Sequence, residues 1–207
     1  MIPHFTIEGE IGAGGVTPAD LAAFLTGNPG NVTLQINSLG GSATDGAAMM
    51  ASVEAHGSVT VHVRGVAASA ATLIMVAAAE VVIHAVAMVM IHEPYAFADG
   101  TADAHRSAAD ALDKMTNTYA AAYARHTGHP VARIAEWMKA ETWMTAAEAV
   151  ELRFADRVED GGAALACAAF DYRKFRHAPD QLVQMATEKG WVTNSPAVKE
   201  KEKTVAA

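Results

Sequence analysis

The chain has 207 residues, 51% of them apolar, and a formal net charge of −8, which suits one domain of ordinary size with an appendage. The negative charge and the lack of a basic run argue against nucleic acid as the main partner. The uncharged stretch 65–79 has 15 residues, fewer than the ~20 of a membrane-spanning helix, and the N-terminus lacks a signal-peptide pattern. A single cysteine, Cys167, excludes an internal disulfide and favours a reducing compartment. The sequence therefore predicts a soluble protein with no membrane partner.

Strands and helices alternate over the first 160 residues. The predicted strands are Phe5–Ile7, Val32–Asn37, Val59–Arg64, Val81–Ile83, Met88–Ile91 and Asp156–Val158. The predicted helices are Pro18–Gly27, Asp45–His56, Ala67–Met75, Ala102–His126, Pro130–Ala140 and Ala146–Phe154. The alternation indicates βαβ crossovers and an α/β fold with a mainly parallel sheet.

The longest predicted helix, Ala102–His126, contains no glycine or proline. Its apolar stripe recurs at steps of three and four residues and consists of Leu112, Met115, Tyr119 and Tyr123. The alternating pattern ends near residue 160, which predicts a domain over 1–160 and a partly disordered tail over 161–207. Within that tail we expect a small element at 170–175 and a short helix at 180–189. The segment 195–207 is small and charged, which is typical of disorder.

Polar or glycine residues follow three of the predicted strands, where open α/β sheets place their sites. Gly40 and Gly41 follow the second strand, Ser69 follows Gly65 at the head of an apolar helix, and His92 follows Met88–Ile91. A serine nucleophile needs an imidazole to take its proton and backbone N–H groups to stabilise an oxyanion. The same segment, taken alone, favours Ser69 as a small residue in a tight strand-to-helix turn, so it does not establish a nucleophile by itself.

Five segments resemble the motifs of the ClpP-like serine peptidases, in that family's order, over roughly Ile7–Val158. NSLGGS resembles the Asn-Ser-Pro-Gly-Gly loop, GVAAS matches Gly-x-Ala-Ala-Ser, and MIHEP is similar to Met-Ile-His-Gln-Pro. The five segments are Asn37–Ser42, Gly65–Ser69, Met90–Pro94, His126–Gly128 and Thr145–Ala149. The resemblance implies a ClpP/crotonase-type spiral of ββα units with a mainly parallel sheet and a long protruding helix.

The resemblance also implies a catalytic triad. Ser69 would be the nucleophile and His92 the general base, and the backbone N–H groups of Gly41 and Ala70 would form the oxyanion hole. The substrate-binding residues would be Gly40, Gly41, Ala43 and Tyr95.

The family's triad aspartate falls on Glu141, one methylene longer, and a glutamate can still serve as the third residue. A solvated charge at a helix end is the alternative for Glu141. Two other acidic residues remain open as the third member: Glu93, next to the base, and Asp99 in the following loop.

Several sequence features differ from those of ClpP itself. Leu39 replaces the family's proline in the glycine loop, and the chain begins almost at its first core strand, which argues against an ATPase unfoldase as partner. The Glu-Thr-Trp segment and residues 170–179 resemble instead the ClpP-related head maturation (prohead) proteases of tailed phages and prophages. The expected location is therefore the bacterial host cytoplasm or the procapsid.

The predicted function is a serine endopeptidase that cleaves capsid or scaffold polypeptides during procapsid maturation, acting as a ring-like homo-oligomer. One alternative is a ClpP-like degradative peptidase, ATP-independent or coupled to an ATPase. Others are a crotonase-type acyl-CoA enzyme and an inactive ring-forming structural component. No cofactor is expected. The histidines lack metal-ligand spacing, and Gly128 separates His126 from His129, so no metal site is expected either.

Overall fold

The computed structural model describes residues 1–159 and 170–192. These residues fall into two compact units, which lie within Met1–Ala169 and Phe170–Ala207. The expected domain boundary at 160, the single Cys167 and the charged segment 195–207 lie outside the described residues. Across 1–159 and 170–192, no helix combines the length and the apolar character that crossing a membrane requires.

The first unit alternates strands and helices through most of its length. In chain order its elements are β1 (His4–Ile11), α1 (Pro18–Gly27), β2 (Val32–Gly41), α2 (Ala43–His56), β3 (Val59–Ala68), α3 (Ala70–Met75), β4 (Glu80–His84), β5 (Met88–Ile91), α4 (Ala102–Thr127), α5 (Val131–Lys139), β6 (Thr142–Thr145), α6 (Ala146–Glu151) and β7 (Arg157–Glu159). The second unit contains a 3₁₀ turn (Tyr172–Lys174) and α7 (Asp180–Glu188), close to the two elements expected there.

The sheet is mainly parallel, as the alternation predicted. Its main path runs β1-β2-β3-β4-β7 with parallel pairing throughout. β5 pairs parallel with β3 and antiparallel with β6. Val59, Val61 and Val63 of β3 are fully or almost fully buried, whereas Thr60, His62 and Arg64 between them are half-buried. This period of two directs the apolar side chains of β3 to one face, where they belong to the hydrophobic core.

Strand β3 is longer than the sequence indicated, and this corrects one prediction. We expected Gly65 to end the strand and Ala67 and Ala68 to be helical, but β3 continues through Ala68 and α3 begins at Ala70. The reason is a change of partner: residues 60–63 pair with β4, and residues 66–68 pair with β5. Tertiary pairing therefore overrides the helix propensity of the two alanines.

Helix α4 is buried only towards its C-terminal end. Tyr119 and Tyr123 are buried, Leu112 and Met115 are partly exposed, and residues 101–107 are exposed. Thr101 caps the N-terminus by accepting from the N–H of Ala104, and Gly128 ends the helix in the left-handed conformation. The expected apolar stripe is thus buried over its second half, and the first half of the helix extends into solvent.

Candidate active site

Ser69 lies between β3 and α3 in a backbone conformation that non-glycine residues seldom adopt. Its φ is 56° and its ψ is −126°, a region whose strain persists only where surrounding contacts hold it. The N–H of Ser69 donates to the carbonyl of Met90 at 2.9 Å. The carbonyl of Ser69 accepts from the N–H of Thr72 at 2.9 Å and from the Thr72 hydroxyl at 2.6 Å. The strand partner β5 and the first turn of α3 therefore hold Ser69 from opposite sides.

The glycine loop at the end of β2 lies directly against Ser69. Gly40 has a φ of 90°, and a Cβ there would come 2.7 Å from the carbonyl oxygen of Ala68, 2.8 Å from the nitrogen of Ala70 and 2.8 Å from the Cβ of Ser69. Ser38 fixes the loop, because its hydroxyl donates to the carbonyl of Gly9 at 2.6 Å and accepts from the N–H of Gly40 at 3.1 Å. Only glycine permits this approach.

The two expected oxyanion donors lie on either side of this contact. Gly41 is the last residue of β2, with a φ of 147°, and a Cβ there would collide with the backbone of Ile11. Ala70 is the first residue of α3, and the first N–H groups of a helix have no partner within it. Neighbouring Gly46 of α2 packs its backbone against Ala70, where a Cβ would meet the Ala70 methyl at 2.8 Å.

His92 follows β5 and reaches Ser69 directly. The pairing of Ala68 with Met90 brings the ends of β3 and β5 together, and the Nε2 of His92 lies 2.8 Å from the Oγ of Ser69. With the proton on Nδ1, Nε2 accepts the hydrogen bond from the serine hydroxyl. Burial lowers the pKa of His92, and the carboxylate of Glu141 acts in the opposite direction. The imidazole is therefore neutral near pH 7 and able to take a proton.

Glu141 lies opposite His92 because of the pairing of β5 with β6. The antiparallel register ends with Ile91 opposite Thr142. His92 directly follows Ile91 and Glu141 directly precedes Thr142, so both residues lie at the same end of this strand pair. Glu141 itself has a φ of 51°, and its N–H donates to the carbonyl of Met138 at 3.1 Å. The indole N–H of Trp143 donates to its Oε1 at 3.3 Å. Glu141 is half-buried rather than a freely solvated helix-end charge.

The other two acidic residues lie in the exposed loop after His92. Glu93 is exposed, and its N–H donates to the carbonyl of Met138 at 3.2 Å. Asp99 is exposed as well, and its Oδ1 accepts from the N–H of Gly100 at 2.8 Å. The electrostatic partner that perturbs the pKa of His92 is Glu141, which favours Glu141 over both as the third residue.

The remaining expected site residues lie around the Ser69–His92 pair. The ring of Tyr95 is 5.9 Å from the His92 ring, centroid to centroid, and its side chain is 75% exposed. Ala43 is the first residue of α2, and its carbonyl accepts from the Tyr119 hydroxyl at 3.1 Å. Among residues 1–159 and 170–192, no group of three or more His, Cys, Asp or Glu side chains is arranged to hold a metal ion.

Three residues of this region were not singled out as site residues from the sequence. Thr72 bonds the carbonyl of Ser69, Tyr123 bonds Thr72, and Trp143 bonds Glu141. Tyr123 was visible only as part of an apolar stripe, and Trp143 as a core or interface residue. Thr72 carries the one available signal, because it is the only hydroxyl residue in an otherwise apolar helix.

The family model described as Clp protease matches residues 19–161, more than half of the chain. The chain belongs to the Clp protease family. The match covers the glycine loop, Ser69, His92 and Glu141, so the residues that converge in the structure all lie inside the family region.

Two curated relatives of this family match part of the chain. ATP-dependent Clp protease proteolytic subunit 2 of Thermobifida fusca is 34% identical over 134 residues, which are 62% of this chain and 64% of that protein. ATP-dependent Clp protease proteolytic subunit 3 of Rhodococcus jostii is 37% identical over 78 residues, 38% of this chain and 39% of that protein. The chain thus spans less than two-thirds of the length of these relatives.

A solved Clp structure shares the fold. A mutant of ClpP1 from Listeria monocytogenes superposes with a TM-score of 0.69 at 21% sequence identity, covering 79% of this chain and 94% of that one. The expectation of an α/β fold of the ClpP type with a mainly parallel sheet is confirmed.

Proposed function

We propose that this Clp-family chain is a serine endopeptidase whose nucleophile is Ser69. The observation that carries the proposal is the 2.8 Å contact between the Oγ of Ser69 and the Nε2 of His92, made at a strained residue between a strand and a helix. His92 takes the hydroxyl proton as Oγ attacks the peptide carbonyl, and later returns a proton to the leaving amine. The neutral imidazole that burial favours is the form this step needs.

Glu141 and two backbone N–H groups complete the proposed site. The Glu141 carboxylate stabilises the imidazolium that forms during attack and favours the tautomer with a proton on Nδ1. The N–H groups of Gly41 and Ala70 donate to the oxyanion. Gly40, Gly41, Ala43 and Tyr95 line the path of the peptide. The peptidase occupies residues 1–160, and the segment 161–207 is an appendage to it.

We further propose that the natural substrates are capsid or scaffold polypeptides of a tailed phage, cleaved in the bacterial cytoplasm or inside the procapsid. The Glu-Thr-Trp segment around Glu141 and the residues 170–179 support this assignment. A degradative peptidase is the second candidate. It is favoured by the two similar proteins from Thermobifida fusca and Rhodococcus jostii, which are ATP-dependent Clp protease proteolytic subunits.

The enzyme is proposed to act as a ring-like homo-oligomer. The exposed first half of α4 and the exposed side chains of Tyr95 and Phe97 offer contact surface for a second copy. Light scattering at high protein concentration should report a mass several times that of one chain. A strict monomer would contradict this part of the proposal.

The central test is labelling with a fluorophosphonate, which reacts only with an activated serine. The wild-type protein should be labelled and Ser69→Ala should not, and peptide hydrolysis should fall by several powers of ten. Ser52→Ala is the matched control, since Ser52 lies on α2 and its hydroxyl bonds the carbonyl of Ala48. A wild-type protein that resists labelling, or full activity in Ser69→Ala, would refute the peptidase and leave the crotonase-type or structural alternatives.

The substrate assignment is tested separately with two substrates. A phage capsid precursor and casein, an unfolded protein, are each incubated with the wild-type and Ser69→Ala proteins. Cleavage of the precursor at one or a few positions supports capsid maturation. Degradation of casein to short peptides, with the precursor left intact, supports the degradative alternative.

A further inference from the structure

Two buried hydroxyl groups connect Ser69 to helix α4. The Thr72 hydroxyl donates to the carbonyl of Ser69 at 2.6 Å, and the same Thr72 oxygen lies 2.6 Å from the Tyr123 hydroxyl. Thr72 is fully buried and Tyr123 is 3% exposed. The chain of contacts therefore runs from α4 through α3 to the backbone of the proposed nucleophile.

The direction of both hydrogen bonds follows from counting protons. The carbonyl of Ser69 can only accept, so the single hydroxyl proton of Thr72 is used there. Tyr123 must then donate to the Thr72 oxygen. Burial raises the pKa of Tyr123 far above its usual value, so its phenol stays protonated over the whole working range of the protein.

The carbonyl that Thr72 holds belongs to the same peptide group as the N–H of Ala70. Because a peptide group is planar, fixing the direction of the Ser69 carbonyl also fixes the direction of the Ala70 N–H, which points the opposite way. Gly40 also packs closely against this peptide group, since a Cβ there would lie 2.8 Å from the Ala70 nitrogen. The Ala70 N–H is the proposed oxyanion donor.

We propose that Thr72 and Tyr123 are positioning residues that hold the Ser69–Ala70 peptide group in the orientation required for oxyanion stabilisation. The oxyanion role of this peptide group rests on the proposed function, whereas the orientation that Thr72 and Tyr123 impose on it does not. Neither side chain touches the substrate, and their effect on rate passes through the Ala70 N–H. A misdirected donor weakens transition-state binding rather than substrate binding, so the loss falls on kcat.

The kinetic test uses three substitutions. Tyr123→Phe keeps the ring and removes the donor, and kcat should fall about tenfold with KM unchanged, since loss of a whole oxyanion donor costs roughly 10²–10³. Thr72→Val should lower kcat further, because it removes the bond to Ser69 and leaves the Tyr123 hydroxyl unpaired. Thr72→Ser keeps the hydroxyl and should restore kcat to within a few-fold of wild type.

Two controls separate positioning from plain stability. Thr127→Val removes another buried hydroxyl of α4, which donates to the Tyr123 carbonyl at 2.8 Å. It should lower the thermal midpoint without changing kcat. The double variant Thr72→Val/Tyr123→Phe should be no slower than Thr72→Val, because the two residues act in one chain. If Tyr123→Phe lowers the midpoint but leaves kcat at the wild-type value, the pair is merely structural and the proposal is wrong.

A spectroscopic readout distinguishes this proposal from the proposed function. Labelling with ¹³C-carbonyl serine and ¹⁵N-alanine selects the three Ser–Ala peptide groups of the chain, at 42–43, 69–70 and 107–108. Tyr123→Phe should shift the 69–70 signal and leave the other two in place. An unmoved signal overturns the positioning role even if the enzyme is active. A shifted signal in a protein that no fluorophosphonate labels keeps the positioning role and refutes the peptidase.

Discussion

Two non-glycine residues with left-handed φ lie on either side of His92, and they are held in different ways. Ser69, with φ 56°, is fixed through its backbone by Met90 and Thr72, among neighbours that are almost all buried. Glu141, with φ 51°, lies half-buried at the turn between α5 and β6, where its carboxylate accepts from Trp143. The proposed nucleophile is thus positioned by the core, and the proposed third triad residue by a short edge strand. Changes near Ser69 should therefore affect folding and rate, and changes near Glu141 rate alone.

Of the changes that compare these two regions, a substitution of Glu141, next to the edge strand β6, should have the largest effect on rate. In the proposed mechanism, Glu141→Gln keeps the shape but removes the charge that stabilises the imidazolium, and it favours the wrong tautomer of His92. The rate of peptide hydrolysis should fall by roughly 10²–10⁴, with the thermal midpoint nearly unchanged. Glu93→Gln and Asp99→Asn are the comparisons. Wild-type activity in Glu141→Gln, together with a loss in either of these, would assign the third role to another carboxylate.

A methyl group added on the core side should affect both rate and folding. Gly40→Ala places a Cβ 2.7–2.8 Å from Ala68, Ser69 and Ala70, so the loop or the Ser69 turn must shift. We expect the rate to fall by roughly 10²–10³, since small displacements of catalytic groups have large effects, and stability to fall by about 1–3 kcal/mol. Gly57→Ala is the control, with a similar φ of 73° and open space around its Cβ. It should lose stability only. A Gly40→Ala enzyme with wild-type kinetics would show that the Ser69 region is not rigid.

A smaller loss of rate is expected when the Glu141 carboxylate keeps its charge but loses its hydrogen bond from Trp143. Trp143→Phe removes the indole donor 3.3 Å from Oε1 while leaving an aromatic ring on β6. Hydrolysis should slow by about tenfold, because the carboxylate gains freedom to turn away from His92. Trp137→Phe is the matched control, since the Trp137 ring packs against His129 and Phe154. Equal losses in both variants would indicate general destabilisation.

The smallest effect is a shift along the pH axis. In the proposed mechanism only neutral His92 can accept the serine proton, so the rate should rise with pH. The midpoint should lie below the usual value of about 6.5, because burial lowers the pKa of His92. Glu141 raises that pKa, so Glu141→Gln should move the midpoint of the residual rate further down. A midpoint of the pH–rate profile that Glu141→Gln leaves unchanged would mean that the Glu141 carboxylate does not interact electrostatically with His92.

The same lowered pKa makes a prediction for stability. Below about pH 6.5 the unfolded chain takes up a proton on His92 more readily than the folded protein does, so stability falls as the pH decreases. His126, whose pKa burial also lowers, acts in the same direction. The thermal midpoint should therefore decrease on acidification through this range, and a midpoint independent of pH would contradict the burial of both imidazoles.

The elements predicted best are those with their own local signals. Met88–Ile91 was predicted with the observed bounds, and Thr17 and Thr145 each begin a helix with the expected cap, both closing a capping box. Prediction from helix propensity failed where pairing with a strand distant in sequence determined the local structure. Ala67 and Ala68 are strong helix formers, but their pairing with β5 places them in a strand, and four-residue β6 exists only as a partner of β5.

The candidate site was predictable to the extent that its residues stand in recognisable motifs. Ser69 and His92 each follow a strand, and they lie close together because those two strands, β3 and β5, are neighbours in the sheet. Thr72 and Tyr123 belong to no such motif, because the hydrogen bond between them joins residues of two helices that are 51 positions apart in sequence. Trp143 was equally hidden, since its role depends on the conformation of Glu141 two residues earlier.

The position of β6 in the chain determines when the proposed site is completed during synthesis. The ribosome adds Glu141 about 50 residues after His92, which takes roughly 3–10 s at the usual rates of translation. Until then β5 has a partner in β3 on one side and an open edge on the other, a template for wrong pairing with another nascent chain. A chain truncated before Glu141 would carry the proposed nucleophile and base without their carboxylate. Pairing of β6 with β5 thus covers the open edge of β5 and brings Glu141, the last charged group of the proposed site, into place in the same step.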